Sequence, residues 1–315
     1  MTKFTPSYWA VILGGSSGFG LATAKKLSRH RMNICIVHRD RRGAMKKIEP
    51  EFEAIRETGV KFIACNTNAL SEDGRNDVLS QLKDAMGTDG RVRMLLHSIA
   101  FGNLKLMVQE PQALQEKHQD ALAKLSDKLG VSAANLQENI DSLFQEGYEE
   151  LAGVATPPAY SQSELLADED FSLTLYSMGT SLASWVQDIY SEKIFADDAR
   201  IFGLTSEGNE VAWKGYAAVA AAKTALEAVS RAIAKEYAPY GIRCNVIQAG
   251  VTDTPALRLI PGSNHLKAGA KKRNPFNRLT MPEDVANFIY LMCQDEAAWA
   301  NGNIIRVDGG EHISG

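Results

Sequence analysis

The chain has 315 residues, 45% hydrophobic and 23% charged, with a formal net charge of −4. That balance suits a globular chain with a large core and excludes disorder and collagen-like structure. No apolar run approaches a membrane span, the first residues lack a signal peptide's basic and apolar regions, and the negative charge argues against a nucleic-acid binder. The chain therefore reads as cytoplasmic, with neither nucleic acid nor membrane as partner.

The first hundred residues alternate strand and helix. Trp9–Leu13 is an apolar run closed by glycines, and Leu21–His30 has helical spacing. Asn33–His38 is a second run, followed by a helix over roughly Arg42–Glu57. Lys61–Cys65 predicts a third strand, Glu72–Met86 a helix and Arg93–His97 a fourth strand. The rhythm resumes with a helix over Leu173–Tyr190, a strand over Ala199–Leu204, and a long helix over Ala212–Tyr237. A strand over Arg243–Gln248, a helix near Glu283–Cys293 and a last strand over Ile304–Val307 complete it. Continuous apolar strands alternating with helices predict a parallel sheet buried on both faces. The fold class expected is α/β: one Rossmann-type doubly wound sheet, in a single domain over residues 1–315. Cys35, Cys65, Cys244 and Cys293 lie far apart and never as CxxC, so reduced structural thiols are expected, and no metal.

A fold of this kind needs roughly 250 residues, and the surplus falls between Leu104 and Leu165. Leu114, Leu122, Leu125 and Leu129 recur at helical intervals, Gly130 ends that helix, and Ser132 caps a second one carrying Leu136, Ile140, Leu143 and Phe144. The stretch holds ten acidic and four basic residues, a net −6, so the other residues carry about +2. It reads as an inserted helical hairpin after the fourth strand.

Gly14, Gly18 and Gly20 form GxxxGxG between the first strand and the first helix, with Ser16, Ser17 and Phe19 between them. Such a loop turns tightly, brings backbone close to a pyrophosphate and aims N–H groups at its oxygens; without a ligand it would be a plain glycine-rich turn. The second strand ends at Val37-His38-Arg39, with Arg41 and Arg42 following. An NAD-type site wants Asp or Glu there, whereas a guanidinium suits a 2′-phosphate, so Arg39 predicts NADPH unless this is a solvated basic face. Asn66 and Thr67 follow the third strand, where they meet adenine or serve as turn residues.

Tyr216 and Lys223 stand seven residues apart in the long helix, nearly two turns, so they share one face roughly 10 Å apart along its axis. A phenol and an ammonium beside a nicotinamide can polarise a carbonyl and hold a ribose. The i+4 position is Ala220 rather than lysine.

These residues together resemble the short-chain dehydrogenase/reductase superfamily, and within it the enoyl-acyl-carrier-protein reductases. His97-Ser98-Ile99-Ala100-Phe101 is similar to their HSIGF segment, where simpler members carry NNAG. The Tyr216–Lys223 spacing is the enoyl reductase one, residues Ala249–Thr254 resemble AGPIRT, and Val307–Gly310 is the superfamily's usual close. The resemblance covers roughly residues 8–103 and 166–312. Two features depart from the commonest enoyl reductases: Ser206 replaces a second tyrosine ten residues before Tyr216, and the glycine loop is of the general kind. Both are similar to a smaller NADPH-dependent branch.

The resemblance implies NADPH-dependent reduction of the 2,3-double bond of trans-2-enoyl thioesters in fatty acid synthesis. Tyr216, Lys223 and Ser206 are the implied catalytic residues, with Lys223 also on the nicotinamide ribose. Ser98, Ile99 and Ala100 would pass under the cofactor, and Gly250, Val251, Thr252 and Thr254 would meet its pyrophosphate or carboxamide. Phe101 would line the acyl pocket with Tyr216. The substrate carrier is an acyl carrier protein or coenzyme A, and a homotetramer is the family's habit. In the family, Ile260–Arg278 covers the substrate. Here it carries Lys267, Lys271, Lys272, Arg273 and Arg278, a patch able to steer an acidic carrier. The acidic hairpin is expected near the site's mouth, as a lid or a subunit contact. His97, Trp185, Trp213 and Phe171 are expected in structural roles. Two competing readings stand: a keto- or carbonyl reductase of the same superfamily, and a cofactor-sensing protein without catalysis.

Overall fold

A computed structural model describes residues 4–111 and 113–314. Seven parallel strands form one sheet in the order β3-β2-β1-β4-β5-β6-β7. They are β1 (Tyr8–Leu13), β2 (Asn33–His38), β3 (Phe62–Asn66), β4 (Arg91–His97), β5 (Phe195–Thr205), β6 (Ile242–Ala249) and β7 (Ile304–Val307).

The period of two along each strand splits the core into two layers. Trp9, Val11 and Leu13 of β1 face one side, with Cys35, Val37, Leu95 and Ile201. That side is covered by α3 (Glu72–Met86), α7 (Ser181–Ser191) and α8 (Ala217–Glu236). Ala10 and Ile12 face the other, with Ile34, Ile36, Met94 and Phe202. There α1 (Gly18–Arg29), α2 (Met45–Arg56) and α10 (Pro282–Met292) pack. Both layers must be apolar, which is why β1 and β2 read as unbroken hydrophobic runs. All four cysteines are free and buried. Among the described residues no helix is long and apolar enough to cross a membrane, and no cluster of three acidic, His or Cys residues is built to hold a metal.

The chain departs from sequence expectation in four places. The expected Leu173–Tyr190 helix begins at Asp168 as α6 (Asp168–Leu175), passes through a π-turn at Tyr176–Thr180 and continues as α7. Its start is fixed by Asp170, whose carboxylate accepts the Ala167 N–H at 3.0 Å, and by three acids in the first turn. The long helix begins at Ala217 rather than Ala212, because Gly215 adopts φ +71°, which no helix continues, and Tyr216 becomes its N-cap. Strand β5 starts four residues early, at Phe195, and carries Asp198, which binds Arg93 at 2.6 Å and Arg243 at 2.5 Å. Residues Ser263–Arg273 form a helix, α9, where only a covering segment was expected.

The insertion forms α4 (Ala113–Leu129) and α5 (Ala133–Glu146). Ser132 caps α5 by accepting the Asn135 N–H at 3.2 Å, and Gly130 takes φ +66° at the end of α4. The side chain of Leu114 lies outside the described residues. Ile140 and Phe144 of α5 bury against Ala155 and against Ala268 of α9. The hairpin therefore packs on the helix that follows the cleft described below.

Candidate active site

The glycine loop lies at the carboxyl end of β1, beside β4, where strand order reverses. In doubly wound sheets this is where ligands bind. Its backbone follows from close packing. A Cβ on Gly14, which sits at φ +81°, would stand 2.5 Å from the Ser98 carbonyl oxygen. A Cβ on Gly20 would collide with the Gly14 carbonyl, so α1 can approach β1 only with glycine there. Gly18 faces across the cleft, where a Cβ would meet Thr254 Cγ2 at 3.4 Å. No acidic residue occupies the first turn of α1, and Ser17 caps none of its N–H groups. Those donors are therefore left for an anion, and a pyrophosphate suits them.

One cleft of about 220 Å³ gathers most of the residues singled out in the sequence. Gly14, Ser17, Gly18 and Phe19 line it from the loop, with Ser98, Ile99 and Ala100 after β4. Ser206, Tyr216 and Lys223 line it from β5 and α8, and Gly250, Val251, Thr252 and Thr254 from the segment after β6. Ser206 Oγ and Tyr216 Oη are 3.4 Å apart. The Lys223 ammonium donates to the Leu204 carbonyl at 2.7 Å. Burial lowers the Lys223 pKa from the ordinary lysine value to about 8, against the opposing pull of Glu227. Burial also raises the Tyr216 pKa, while the Ser206 hydrogen bond lowers it. The phenol thus stays protonated and able to donate.

Other expected residues are placed elsewhere. Phe101 is no part of the cleft lining: it is 43% exposed, and the Arg39 guanidinium lies 4.6 Å from its ring centroid. Beside it, Gly102 is packed so closely that a Cβ there would meet Thr174 and Met178. Asn66 does not present a free amide. Its Oδ1 accepts the Asp40 N–H at 3.2 Å and its Nδ2 donates to the Asp40 carbonyl at 3.0 Å, bracing the loop after β2. Thr67 joins the same brace through its N–H on the His38 carbonyl at 2.9 Å. Ser16 and Gly20 do not line the cleft. His97 is buried, its Nε2 is 2.8 Å from Ser181 Oγ, and burial with the nearby Lys223 charge lowers its pKa to about 3. At neutral pH it is uncharged.

Sequence reasoning missed the apolar wall. Trp213, expected in a structural role, lines the cleft with its ring 5.2 Å from that of Tyr216. Leu104, Met178, Val219, Leu259 and Ile260 complete the wall. Trp213's position three residues before the candidate phenol was the one available signal. The basic patch over Ile260–Arg278 also changes meaning. Lys267 pairs with Asp253, Lys271 with Glu149, Arg273 with Glu207 and Arg278 with Asp284. Among the described residues, four of its five cations have an acidic partner within the chain, and Lys272 is exposed and has none.

A family profile described as "Enoyl-(Acyl carrier protein) reductase" matches residues 114–312, and one described as "short chain dehydrogenase" matches residues 8–126. The enoyl-[acyl-carrier-protein] reductase [NADH] FabI of Bacillus cereus is 31% identical over 125 residues, 40% of this chain and 49% of that protein. The cis-4-hydroxycyclohexanecarboxylate dehydrogenase of Sinomonas cyclohexanicum is 25% identical over 301 residues, 96% of this chain and 95% of that protein. The crystal structure of FabI from Candidatus Liberibacter asiaticus superposes with a TM-score of 0.71 at 18% identity, covering 99% of this chain and 98% of the other. The chain spans about half the length of the first curated relatives it matches. With the sheet order and the glycine loop, the profile matches show that the chain belongs to the short-chain dehydrogenase/reductase family, whose members are oxidoreductases that use a nicotinamide cofactor.

Proposed function

We propose that this chain reduces the 2,3-double bond of trans-2-enoyl thioesters with NADPH. The observation that carries the reading is the arrangement at α8. Tyr216 caps the helix, Lys223 follows nearly two turns later, and both face one apolar-walled cleft beside the glycine loop. The Sinomonas and Bacillus relatives named above give the two poles, a dehydrogenase and an enoyl reductase. The Tyr216–Lys223 spacing and the Ser98-Ile99-Ala100 segment favour the second.

The chemistry a bound NADPH would supply is a hydride to the β-carbon of the substrate. The substrate's thioester oxygen would then become enolate-like, and one proton taken up at the α-carbon would complete the saturated thioester. The Tyr216 hydroxyl donates to that oxygen, where charge develops. Ser206, 3.4 Å from the phenol oxygen, adds a second hydroxyl at the same place. Lys223, charged below about pH 8, would hold the ribose hydroxyls and keep positive potential behind the phenol. Trp213, Val219, Leu259 and Ile260 exclude water from the acyl chain.

The phosphate-bearing cofactor is favoured by the end of β2. His38 occupies the place of an NAD-type acid and is buried, and its Nδ1 takes the Asp40 carboxylate at 2.9 Å. Arg39, Arg41 and Arg42 are exposed beside it. The carrier is an acyl carrier protein or coenzyme A. A homo-oligomer is proposed through the β7 edge, where Leu291, Trp299 and Ile304 are exposed.

A second reading, a keto- or carbonyl reductase, is favoured by the Ser206–Tyr216 contact, since a serine hydroxyl beside the phenol also suits a carbonyl oxygen. Purified protein with NADPH and either crotonyl or acetoacetyl thioester separates the two. Turnover of crotonyl thioester supports the first reading, turnover of acetoacetyl alone supports the second, and cofactor binding without either supports a sensor.

A further inference from the structure

The loop that carries Ser206 is tied down by a carboxylate outside the expected catalytic set. Glu227 is buried on α8, one turn beyond Lys223. Its Oε1 accepts from Thr205 Oγ1 at 2.7 Å and from Asn209 Nδ2 at 2.6 Å. These two donors bracket Ser206, Glu207 and Gly208. The bracketed loop lies flat on the Tyr216 ring, so closely that a Cβ on Gly208 would collide with it. Among the described residues, no cation pairs with Glu227 within 4 Å. Two cations lie one turn away on the helix: Arg231, which is exposed, and Lys223, which is buried and whose ammonium hydrogen-bonds a neutral carbonyl.

We infer that Glu227 is a positioning residue: it pins both ends of the Ser206 loop onto Tyr216 and supplies the buried negative charge that faces Lys223. Buried carboxylates are kept where hydrogen bonds and an opposite charge compensate their desolvation, and both are present here. The groups around Lys223 are few. His97 on β4 is neutral, Tyr216 is a protonated phenol, and Glu207 in the loop after β5 is engaged by Arg273 at 2.7 Å. Glu227 is therefore the acid whose field Lys223 feels, and it opposes the burial that lowers the lysine. The inference rests on the assignment of Tyr216 and Lys223 above.

The test compares Glu227→Gln with the double variant Thr205→Val/Asn209→Ala. The first removes the charge, and the second removes both ties but keeps the charge. Two readouts are taken: acetic anhydride labelling of Lys223 against pH in the cofactor-free protein, mapped by mass spectrometry, and the alkaline limb of kcat/KM. Glu227→Gln is expected to move both midpoints downward by about one pH, a tenfold change in proton affinity. The double variant is expected to leave both midpoints in place and lower kcat about tenfold, the loss of one oriented donor. Unmoved midpoints in folded Glu227→Gln would overturn the electrostatic role, and unchanged kcat in the double variant would overturn the positioning role. If Glu227→Gln does not fold, the double variant still decides the positioning role, and Glu227→Asp decides the electrostatic one by keeping the wild-type midpoint. Full activity in Tyr216→Phe and Lys223→Met would instead overturn the active-site assignment itself.

Discussion

Lys223→Met should abolish reduction yet make the cofactor-free protein more stable. Burial penalises the Lys223 charge and pushes its pKa down from the ordinary lysine value of 10.5 to about 8. Holding it protonated at neutral pH therefore costs about 3 kcal/mol, at ~1.4 kcal/mol for each tenfold step. Methionine removes that cost and leaves the Leu204 carbonyl without its donor, which returns about 1 kcal/mol of destabilisation. A net gain of about 2 kcal/mol should raise Tm by roughly 4 °C in a chain of this size. The sign follows from proton binding. Between about pH 8 and 10.5 the unfolded chain binds more protons than the folded one, so wild-type stability rises through that window. Below it the penalty is fully present. The advantage of Lys223→Met should thus be largest near neutrality and vanish toward pH 10.5. Circular dichroism melts of both proteins across this range measure it. A less stable variant at neutral pH, or an advantage independent of pH, would refute the reasoning.

Other residues give further tests. Tyr216→Phe should lower kcat by about 10²–10³, the loss of one transition-state donor, with NADPH affinity unchanged by fluorescence titration. Gly20→Ala drives a methyl into the Gly14 carbonyl and should cost both cofactor binding and stability, seen as loss of the fluorescence change and a lower Tm. Arg39→Glu should weaken NADPH about tenfold or more while sparing NADH, and equal loss for both would remove Arg39 from phosphate recognition. Lys271→Glu should loosen α9 from the hairpin and raise KM, with recovery when Glu149→Lys restores the 2.9 Å pair in reverse. Because that pair is half exposed, the effect should be small, about two- to fivefold.

The sheet was legible because its signal is local and repeated: β1 and β2 are nearly unbroken apolar runs, β4, β5 and β6 each carry an apolar stretch, and β7 and α3 match their expected bounds. Ser132 was legible for the same reason, as a cap beside a helical period. The missed features depend on contacts between distant residues or on backbone angles. Gly215 at φ +71° delays α8, yet a glycine inside a helical pattern is not diagnostic. The π-turn at Tyr176–Thr180 follows from close packing on α8, where Gly179 meets the Ala222 carbonyl. Asn66 was assigned from its position after β3, but its amide is engaged by Asp40, 26 residues earlier. The basic stretch before Arg278 reads as a docking face until Glu149, Glu207, Asp253 and Asp284 are seen beside it. Glu227 was invisible because Thr205 and Asn209 reach it across 22 and 18 residues of chain.

The measurement that bears most directly on the account is turnover of a trans-2-enoyl thioester by the purified protein, followed as loss of nicotinamide absorbance. The account predicts that crotonyl thioester is reduced with NADPH, more slowly with NADH, and that Tyr216→Phe loses the rate. Reduction of acetoacetyl thioester alone, or full activity in Tyr216→Phe, would contradict it.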